Sequence, residues 1–273
     1  MPNLRGIVGF FSKSGLECLL EIKNNFLNFI GSFGCEGLMI AFASYPIVLL
    51  CRDAAGISGN IFALGLFVSP IPTFRRIIRN CSTEQFSGLP YIYALLNCLI
   101  CVWYGTPFIS ANNILVLTVN SIGGVFQLVY ITIFIIYTEK EQKVRMFSLL
   151  LAVLGIYAII VVGSLQFADF LTRHVIVGTL SVVSLISMFA SPLFIINLVI
   201  RTKSVEFMPF YLSLSTFLMS SCFFLYGIFN NDEFVYVPNG IGTVLGIAQL
   251  VLYFCYKHST GEGSTEPLIV PYA

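Results

Sequence analysis

Two stretches of the chain decide its fold: Phe189-Ala190-Ser191-Pro192, and twelve residues later Ser204-Val205-Glu206-Phe207-Met208-Pro209. Nearly the same pattern occurs earlier as Phe67-Val68-Ser69-Pro70, then Ser82-Thr83-Glu84-Gln85-Phe86, and then Pro90. Self-similarity at a fixed displacement is the sequence signature of a repeat architecture. The sequence therefore predicts an internal duplication that determines how the chain folds.

Most matching residues of the two copies lie 122 positions apart, as for Tyr104 and Tyr226. Others lie 119 positions apart, as for Asn120 and Asn239. For Gln127 and Gln249 the displacement is 122 again. A shift of three residues is close to one helical turn, so it changes the facing of a helix by only about 60°. We therefore expect two such shifts inside hydrophobic helices.

The composition is that of a polytopic membrane protein. Apolar residues make up 57% of the chain and charged residues 10%, with 26 Phe and a mean hydropathy of +0.91. A net charge of +1 without a long basic run argues against a nucleic-acid partner. The eight Cys are scattered, and the Cys98–Cys101 pair has neither a second pair nor a nearby His. We expect no disulfide framework, metal or cofactor.

Seven uncharged apolar segments are long enough to cross a bilayer as helices. They lie at roughly 54–74, 89–109, 114–137, 146–165, 175–200, 209–229 and 235–256. The Lys and Arg residues in the intervening loops and just after the last segment alternate sharply between sides, with nine on one side and Arg173 alone on the other. The positive-inside rule then predicts a cytosolic C-terminus.

An all-α membrane fold of three helices, one linker helix and three more keeps the two copies equal. The predicted division is an N-terminal extension at 1–53, a first repeat at 54–138, a linker helix with its loops at 139–172, a second repeat at 173–256, and a cytosolic polar tail at 257–273. Parallel repeats of this kind occur in transporters. The apolar run 38–50 is too short to span, and a longer segment must include Glu36, so the role of 1–53 stays open.

The seven segments contain no Asp, Glu, Lys, Arg or His. Intramembrane ionisable residues mark proton relays and charged substrates, so their absence favours a neutral, hydroxyl-rich solute. Asn120 and Asn239 recur at matching places near Gly123 and Gly242 and are candidates to bind it. The alternative is that these amides hydrogen-bond between helices.

Four prolines also recur in matching places toward the predicted cytosolic ends of the segments: Pro70, Pro90, Pro192 and Pro209. Because proline removes a backbone hydrogen bond and bends a helix, they predict a set of hinges for an inner gate. Ordinary helix kinks would explain any one of them.

Several motifs together resemble the SWEET family of plant sugar facilitators, also called the MtN3/saliva family. The similarity covers roughly 54–256 and includes Ser69-Pro-Ile-Pro-Thr-Phe, Ser82-Thr-Glu-Gln-Phe-Ser-Gly-Leu-Pro90, Trp103-Tyr-Gly, Lys203-Ser-Val-Glu-Phe-Met-Pro209 and Pro238-Asn-Gly-Ile-Gly. The resemblance implies bidirectional, energy-independent uniport of neutral sugars, and a tendency to form homo- or hetero-oligomers with related transporters. The subgroup that this chain resembles most implies glucose-like substrates and the vacuolar membrane, with the plasma membrane as the alternative.

The same resemblance assigns roles to residues. Asn120 and Asn239 look like the substrate-binding asparagines, and the four prolines look like the family's hinge tetrad. Tyr104 and Asp232 sit where the family has an extracellular gate. Two positions lining the pocket depart from the commoner residues, with Cys101 where some relatives have Ser and Phe223 where some have Trp.

Other classes of function fit less well. A seven-helix receptor has no parallel internal repeat, and a hydrolase needs a nucleophile with a base, whereas His174 and His258 lie in predicted loops. A sugar-sensing protein with little transport is the remaining alternative. In the tail, Glu262 precedes Leu268-Ile269 in the acidic dileucine pattern of vacuolar sorting, although a disordered tail would contain such a pattern by chance.

Overall fold

The computed structural model describes residues 35–205 and 208–257, with side chains from residue 47 onward. These residues form nine helices: α1 Cys35–Val68, α2 Ile71–Asn80, α3 Leu89–Tyr104, α4 Ile114–Tyr137, α5 Lys140–Leu165, α6 Phe170–Met188, α7 Ala190–Thr202, α8 Phe210–Phe229 and α9 Glu233–Tyr256. Residues 35–53 belong to α1, so within the described part they extend the first helix and add no separate one. The rest of the N-terminal extension and the dileucine of the tail lie outside the described residues.

Seven membrane-spanning units account for the nine helices, as predicted. Six stretches are long and apolar enough to cross a bilayer, and two of them, Ile47–Asn80 and Phe170–Thr202, are broken spans made of α1 with α2 and of α6 with α7. The seventh is α3, a shorter apolar helix of 16 residues. It ends at Tyr104, five residues before the predicted end of its segment, because Gly105 and Pro107 stop it and the Thr106 hydroxyl bonds back to Trp103 O.

The two broken spans bend at nearly equivalent places, the second two residues earlier in the repeat than the first. In the first, the Ser69 amide donates to Leu66 O at 3.3 Å, one residue short of the α-helical register, before Pro70 starts α2. In the second, the Phe189 amide donates to Ile186 O at 3.0 Å, and α7 follows. The prolines supply no backbone N–H, so each helix is interrupted where the sequence repeats Ser-Pro.

Glycines at repeat-related positions meet the same neighbours, which confirms the duplication in three dimensions. A Cβ on Gly105 would lie 2.7 Å from the Leu117 backbone nitrogen, and one on Gly227 would lie 2.6 Å from the Tyr236 nitrogen. Leu117 and Tyr236 are themselves 119 positions apart. Only glycine permits the close approach of the third helix of each repeat to the loop before it.

Helices α4 and α9 correct the predicted register. Both contain 24 residues, and both their first and last residues are 119 positions apart. No shift therefore occurs inside them, and Gly246 rather than Gln249 is the counterpart of Gln127. The displacement of 122 at Tyr104 and Tyr226 has a different origin. Three additional residues lie in α8, which is longer than α3, and the stretch from Tyr226 to α9 is shorter by the same number than the stretch from Tyr104 to α4, so the displacement is 119 again at the start of α9.

The linker helix α5 packs against the first repeat. Its Met146 and Val153 are buried in a cluster that also contains Leu95 of α3 and Phe134 of α4. Near its other end, the Trp103 indole Nε1–H donates to Ser164 Oγ at 3.0 Å. These contacts attach α5 along most of its length.

We expect Gly105→Ala and Gly227→Ala each to destabilise the protein by about 1–3 kcal/mol, because the new methyl group meets backbone atoms that cannot move aside. Thermal unfolding in detergent measures the loss. Gly155→Ala on α5 is the control, since no atom of the described residues lies within 4 Å of its Cβ position. Equal stability of all three variants would contradict the close approach.

Candidate functional site

One end of the helical bundle is closed by a buried carboxylate. The Tyr104 hydroxyl, on the last residue of α3, donates to Asp232 at 2.6 and 2.7 Å from its two carboxylate oxygens. Asp232 is the N-cap of α9 and accepts from the Phe234 amide at 3.0 Å. The Asn113 amide Nδ2–H donates to the same carboxylate. Hydrogen bonds to a charged acceptor are the strong ones, so these donors allow the carboxylate to stay buried.

The donors and the acceptor come from both repeats. Asn113 is the N-cap of α4 as Asp232 is the N-cap of α9, and the two are 119 positions apart. Tyr226, the counterpart of Tyr104, donates its hydroxyl to Asn112 O at 2.7 Å. We call the end formed by Tyr104, Asn113, Tyr226 and Asp232 the Tyr104 end. Its hydrogen bonds join the repeats, so it is closed in this structure.

Asn120 and Asn239 occupy the same position in their helices, the seventh residue of α4 and of α9. Each amide Nδ2 donates to the carbonyl four residues earlier, Asn120 to Val116 at 2.9 Å and Asn239 to Val235 at 2.8 Å. Within the described part of the chain, neither amide oxygen has a hydrogen-bond partner. Each side chain therefore keeps its oxygen and its second N–H for another group.

The two asparagines lie seven residues after the N-caps of α4 and α9, about two helical turns inside the closed end. Val116 and Val235, whose carbonyls hold the amides, are buried in one cluster with Tyr104 and Tyr226. Because both helices run away from the Tyr104 end, the asparagines follow directly after this apolar layer. Both are half-buried. A solute reaching this level from the opposite end would meet amides first and the apolar layer next.

Phe223 and Cys101 stand at repeat-related positions, 122 apart. Phe223 is 5% exposed, belongs to the same cluster as Val116 and Val235, and lies 2.8 Å from a Cβ placed on Gly59 of α1. Cys101 is also buried, and its Sγ lies 3.9 Å from Asn97 Oδ1. The structure thus places Phe223 in the layer next to the asparagines, while the contact recorded for Cys101 is within its own helix.

The four prolines lie at helix boundaries toward the opposite end. Pro70 is the N-cap of α2 and Pro192 is the third residue of α7, so these two follow the breaks in the spans. Pro90 is the second residue of α3, and Pro209 is the N-cap of α8. The last two begin helices and interrupt none, because proline fits the first turn, where no backbone N–H is needed.

Sequence reasoning did not single out Asn113 or Asn230. The Asn230 amide Nδ2 donates to Asn113 Oδ1 at 2.8 Å, so both belong to the closure. The signal was present for Asn113, which stands 119 positions before Asp232 as Asn120 stands before Asn239. Asn230 offers no such signal, because its role depends on a tertiary contact.

The duplicated bundle, its linker helix and the closure between its repeats define a class of membrane transporter. The chain matches the family described as "Sugar efflux transporter for intercellular exchange" (MtN3_slv) over residues 53–142 and 175–261. The chain belongs to this MtN3/SWEET family, a family of transporters and not of enzymes. The two matched ranges fall on the two repeats and leave most of α5 between them.

Curated relatives and a solved structure agree. The chain is 67% identical over 236 residues to the bidirectional sugar transporter SWEET2 of Arabidopsis thaliana, covering 86% of this chain and 100% of that one. It is 59% identical to SWEET2a of Oryza sativa subsp. japonica, over 86% of this chain and 98% of that one. A eukaryotic SWEET transporter structure matches with a TM-score of 0.76 at 52% identity, over 78% of this chain and 99% of that chain.

We expect Tyr104→Phe to loosen the Tyr104 end, because it removes a hydrogen bond to a buried carboxylate worth about 1.5–3 kcal/mol. Cys101, three residues away and buried, is a native reporter. In vesicles that present the Tyr104 end outward, an impermeant maleimide should modify Cys101 roughly tenfold faster, measured by peptide mass spectrometry.

Tyr226→Phe is the matched control for this change. Its hydroxyl bonds to a backbone carbonyl and not to a carboxylate, so we expect a smaller increase. A Cys101 labelling rate in Tyr104→Phe equal to that of the unmodified protein would show that the Tyr104 bond does not keep this end closed.

Proposed function

We propose that this protein is a bidirectional, energy-independent uniporter of neutral sugars, with glucose-like monosaccharides as its substrates. The observation that carries the proposal is the pair Asn120 and Asn239, at the same position of the two repeats, with unused amide oxygens about two helical turns inside a closed end. An amide both donates and accepts, so it suits sugar hydroxyls. The names of the relatives support the same activity.

Alternating access follows from the two ends of the bundle. With the Tyr104 end closed, sugar enters from the opposite end and binds Asn120 and Asn239. Separation of Tyr104 from Asp232 then opens the path to the other side, while the helix boundaries at Pro70, Pro90, Pro192 and Pro209 rearrange to close the entry. Domain closures of this kind use a few residues at the ends of elements.

The chemistry of the spans supports passive transport. The predicted segments carry no Asp, Glu, Lys, Arg or His, and their polar groups are amides, hydroxyls and thiols. The absence of Asp, Glu, Lys, Arg and His from the predicted segments favours a transporter that does not couple sugar to a proton or cation. The direction of flux then follows the sugar gradient.

The substrate preference rests on the positions of Phe223 and Cys101. Phe223 offers a ring against which the C–H face of a sugar packs, and Cys101 provides a small wall on the repeat-related side. These are the residues of the subgroup associated with glucose-like substrates. Uptake of labelled glucose against labelled sucrose in a transport-deficient host discriminates between the two sugar sizes.

We expect Asn120→Ala and Asn239→Ala each to weaken sugar binding about tenfold. A neutral hydrogen bond contributes about 0.5–1.5 kcal/mol, and a buried sugar hydroxyl left unpaired costs about 1–3 kcal/mol. Uptake per molecule of protein in the membrane, with abundance measured in parallel, is the readout. The sugar-sensing alternative predicts little uptake even in the unmodified protein.

Asn60→Ala separates binding from packing. Asn60 of α1 donates to Gly56 O and Leu115 O at 3.0 Å each, and it accepts from the Thr118 hydroxyl, so its amide is fully used in helix packing. We expect this change to lower abundance and thermal stability. If the changes at Asn120 and Asn239 behave like Asn60→Ala, with normal uptake per molecule, the binding role is wrong.

For the membrane and the orientation, we propose the tonoplast, with the C-terminus in the cytosol. The distribution of Lys and Arg supports the orientation, and the subgroup resemblance supports the vacuole. The plasma membrane is the alternative. The resemblance also supports homo- or hetero-oligomers with related transporters, which light scattering on the detergent-solubilised protein tests.

We expect the double change Leu268→Ala, Ile269→Ala to move the protein away from the tonoplast, because it removes the hydrophobic pair of the sorting pattern. Imaging of a fluorescent fusion measures the location. Glu266→Gln, which lies within the tail but outside the Leu-Ile pair, is the control. An unchanged vacuolar signal in the double variant would remove this motif from the sorting of the protein.

A further inference from the structure

The face between α2 and α4 carries an apolar groove of about 330 Å³. Its walls include Ile71, Phe74 and Arg75 of α2 and Val125, Val129 and Tyr130 of α4. The two valines are 62% and 50% exposed, so the groove opens outward from the bundle. In a membrane-spanning protein this opening faces lipid.

Arg75 and Arg79 lie on the same side of α2, four residues apart. Both are exposed, and neither has an ion-pair partner in the described part of the chain. The neighbouring Arg76 differs, because it binds the Glu84 carboxylate at 2.6 Å. That contact, with the Asn80 amide, holds the pKa of Glu84 below its ordinary value. The acid of this loop is therefore already paired, and the two outer arginines are left for another anion.

The position of the groove in the membrane favours the binding of an anion beside its arginine. Tyr130 lies seven residues before the end of α4 at Tyr137, or about 10 Å along the helix axis. An arginine beside it sits near the edge of the hydrocarbon layer, where a cation without a partner is costly. A lipid phosphate lies at this level of a bilayer and accepts two hydrogen bonds from a guanidinium.

The second repeat lacks this arrangement. The residue that corresponds to Arg75 is Asn197, and the one that corresponds to Arg79 is Arg201. The Arg201 Nε donates to Asn197 Oδ1 at 3.1 Å. The first repeat thus carries two outward-facing arginines, whereas the corresponding residues of the second repeat hydrogen-bond to each other.

We propose that the α2–α4 groove binds an anionic glycerophospholipid, with an acyl chain against Val125 and Val129 and the headgroup phosphate at Arg75 and Arg79. The apolar walls exclude a free phosphate as the natural ligand, because they contribute nothing to its binding. The predicted cytosolic position of these arginines fits the leaflet that carries anionic lipids. This site is separate from the sugar path and does not depend on the proposed transport activity.

Native mass spectrometry of the purified protein with equal amounts of dioleoylphosphatidylglycerol and dioleoylphosphatidylcholine tests the headgroup. We expect the unmodified protein to retain the anionic lipid about tenfold more than the neutral one, and Arg75→Gln with Arg79→Gln to reduce that ratio to within about twofold. Arg201→Gln in the second repeat should leave it unchanged. Equal retention by the unmodified protein and the double variant overturns the proposal, as does complete competition by inorganic phosphate.

Filling the groove tests the acyl chain. Val125→Trp should reduce anionic lipid retention about tenfold with all charges kept, whereas Val244→Trp at the equivalent exposed position of α9 should not. If Val125→Trp fails to fold by thermal unfolding, Val129→Phe makes the same test with a smaller ring. A change in the oligomeric mass with unchanged lipid retention would assign the groove to a second copy of the chain and overturn the lipid site.

Discussion

The buried carboxylate of Asp232 is the charge around which the two repeats meet. A carboxylate taken from water needs its lone pairs satisfied, and here the Tyr104 hydroxyl, the Asn113 amide and the Phe234 backbone N–H supply the donors. Two of these donors come from the first repeat and the third from the helix that Asp232 begins. The two repeats are therefore held together at this end both by the hydrogen bonds that the buried Asp232 carboxylate needs and by apolar packing.

Around this charge the two repeats share backbone contacts but differ in the side chains at matched positions. Equivalent glycines, Gly105 and Gly227, admit equivalent neighbours, so this close helix approach is the same in both bundles. Asymmetry appears in the side chains at matched positions, where Asn113 faces Asp232 and Cys101 corresponds to Phe223. One architecture therefore carries dissimilar side chains at matched positions of the two repeats.

The architecture was predictable because its signals are long and redundant. Each predicted spanning segment is a mostly apolar run of about twenty residues or more, and the recurrence of Ser69-Pro70 at Ser191-Pro192 identifies the repeat and its broken helices. The pairing of Tyr104 with Asp232 was available only through the family resemblance, since the two residues are 128 positions apart and no local pattern joins them.

Other features depend on short-range choices that periodicity does not resolve. The end of α3 at Tyr104 depends on Gly105 and Pro107, whose effect is local while the apolar run continues. The match of Gln127 with Gln249 failed because a shift of one turn preserves the facing of a helix, so the sequence alone could not distinguish 119 from 122. The assignment of Asn113 required knowing that two helix N-caps meet.

The position of Asp232 at a helix N-terminus has a consequence for the open state. When Tyr104 and Asn113 move away, the Phe234 N–H and the positive end of the α9 dipole stay with the carboxylate, so the charge is never left without a partner. The neutral Asn113 at the mirrored N-cap is equally important. Two aspartates there would repel each other as like charges unless one took up a proton, whereas the neutral Asn113 donates a hydrogen bond to Asp232 and closes this end without a change of protonation.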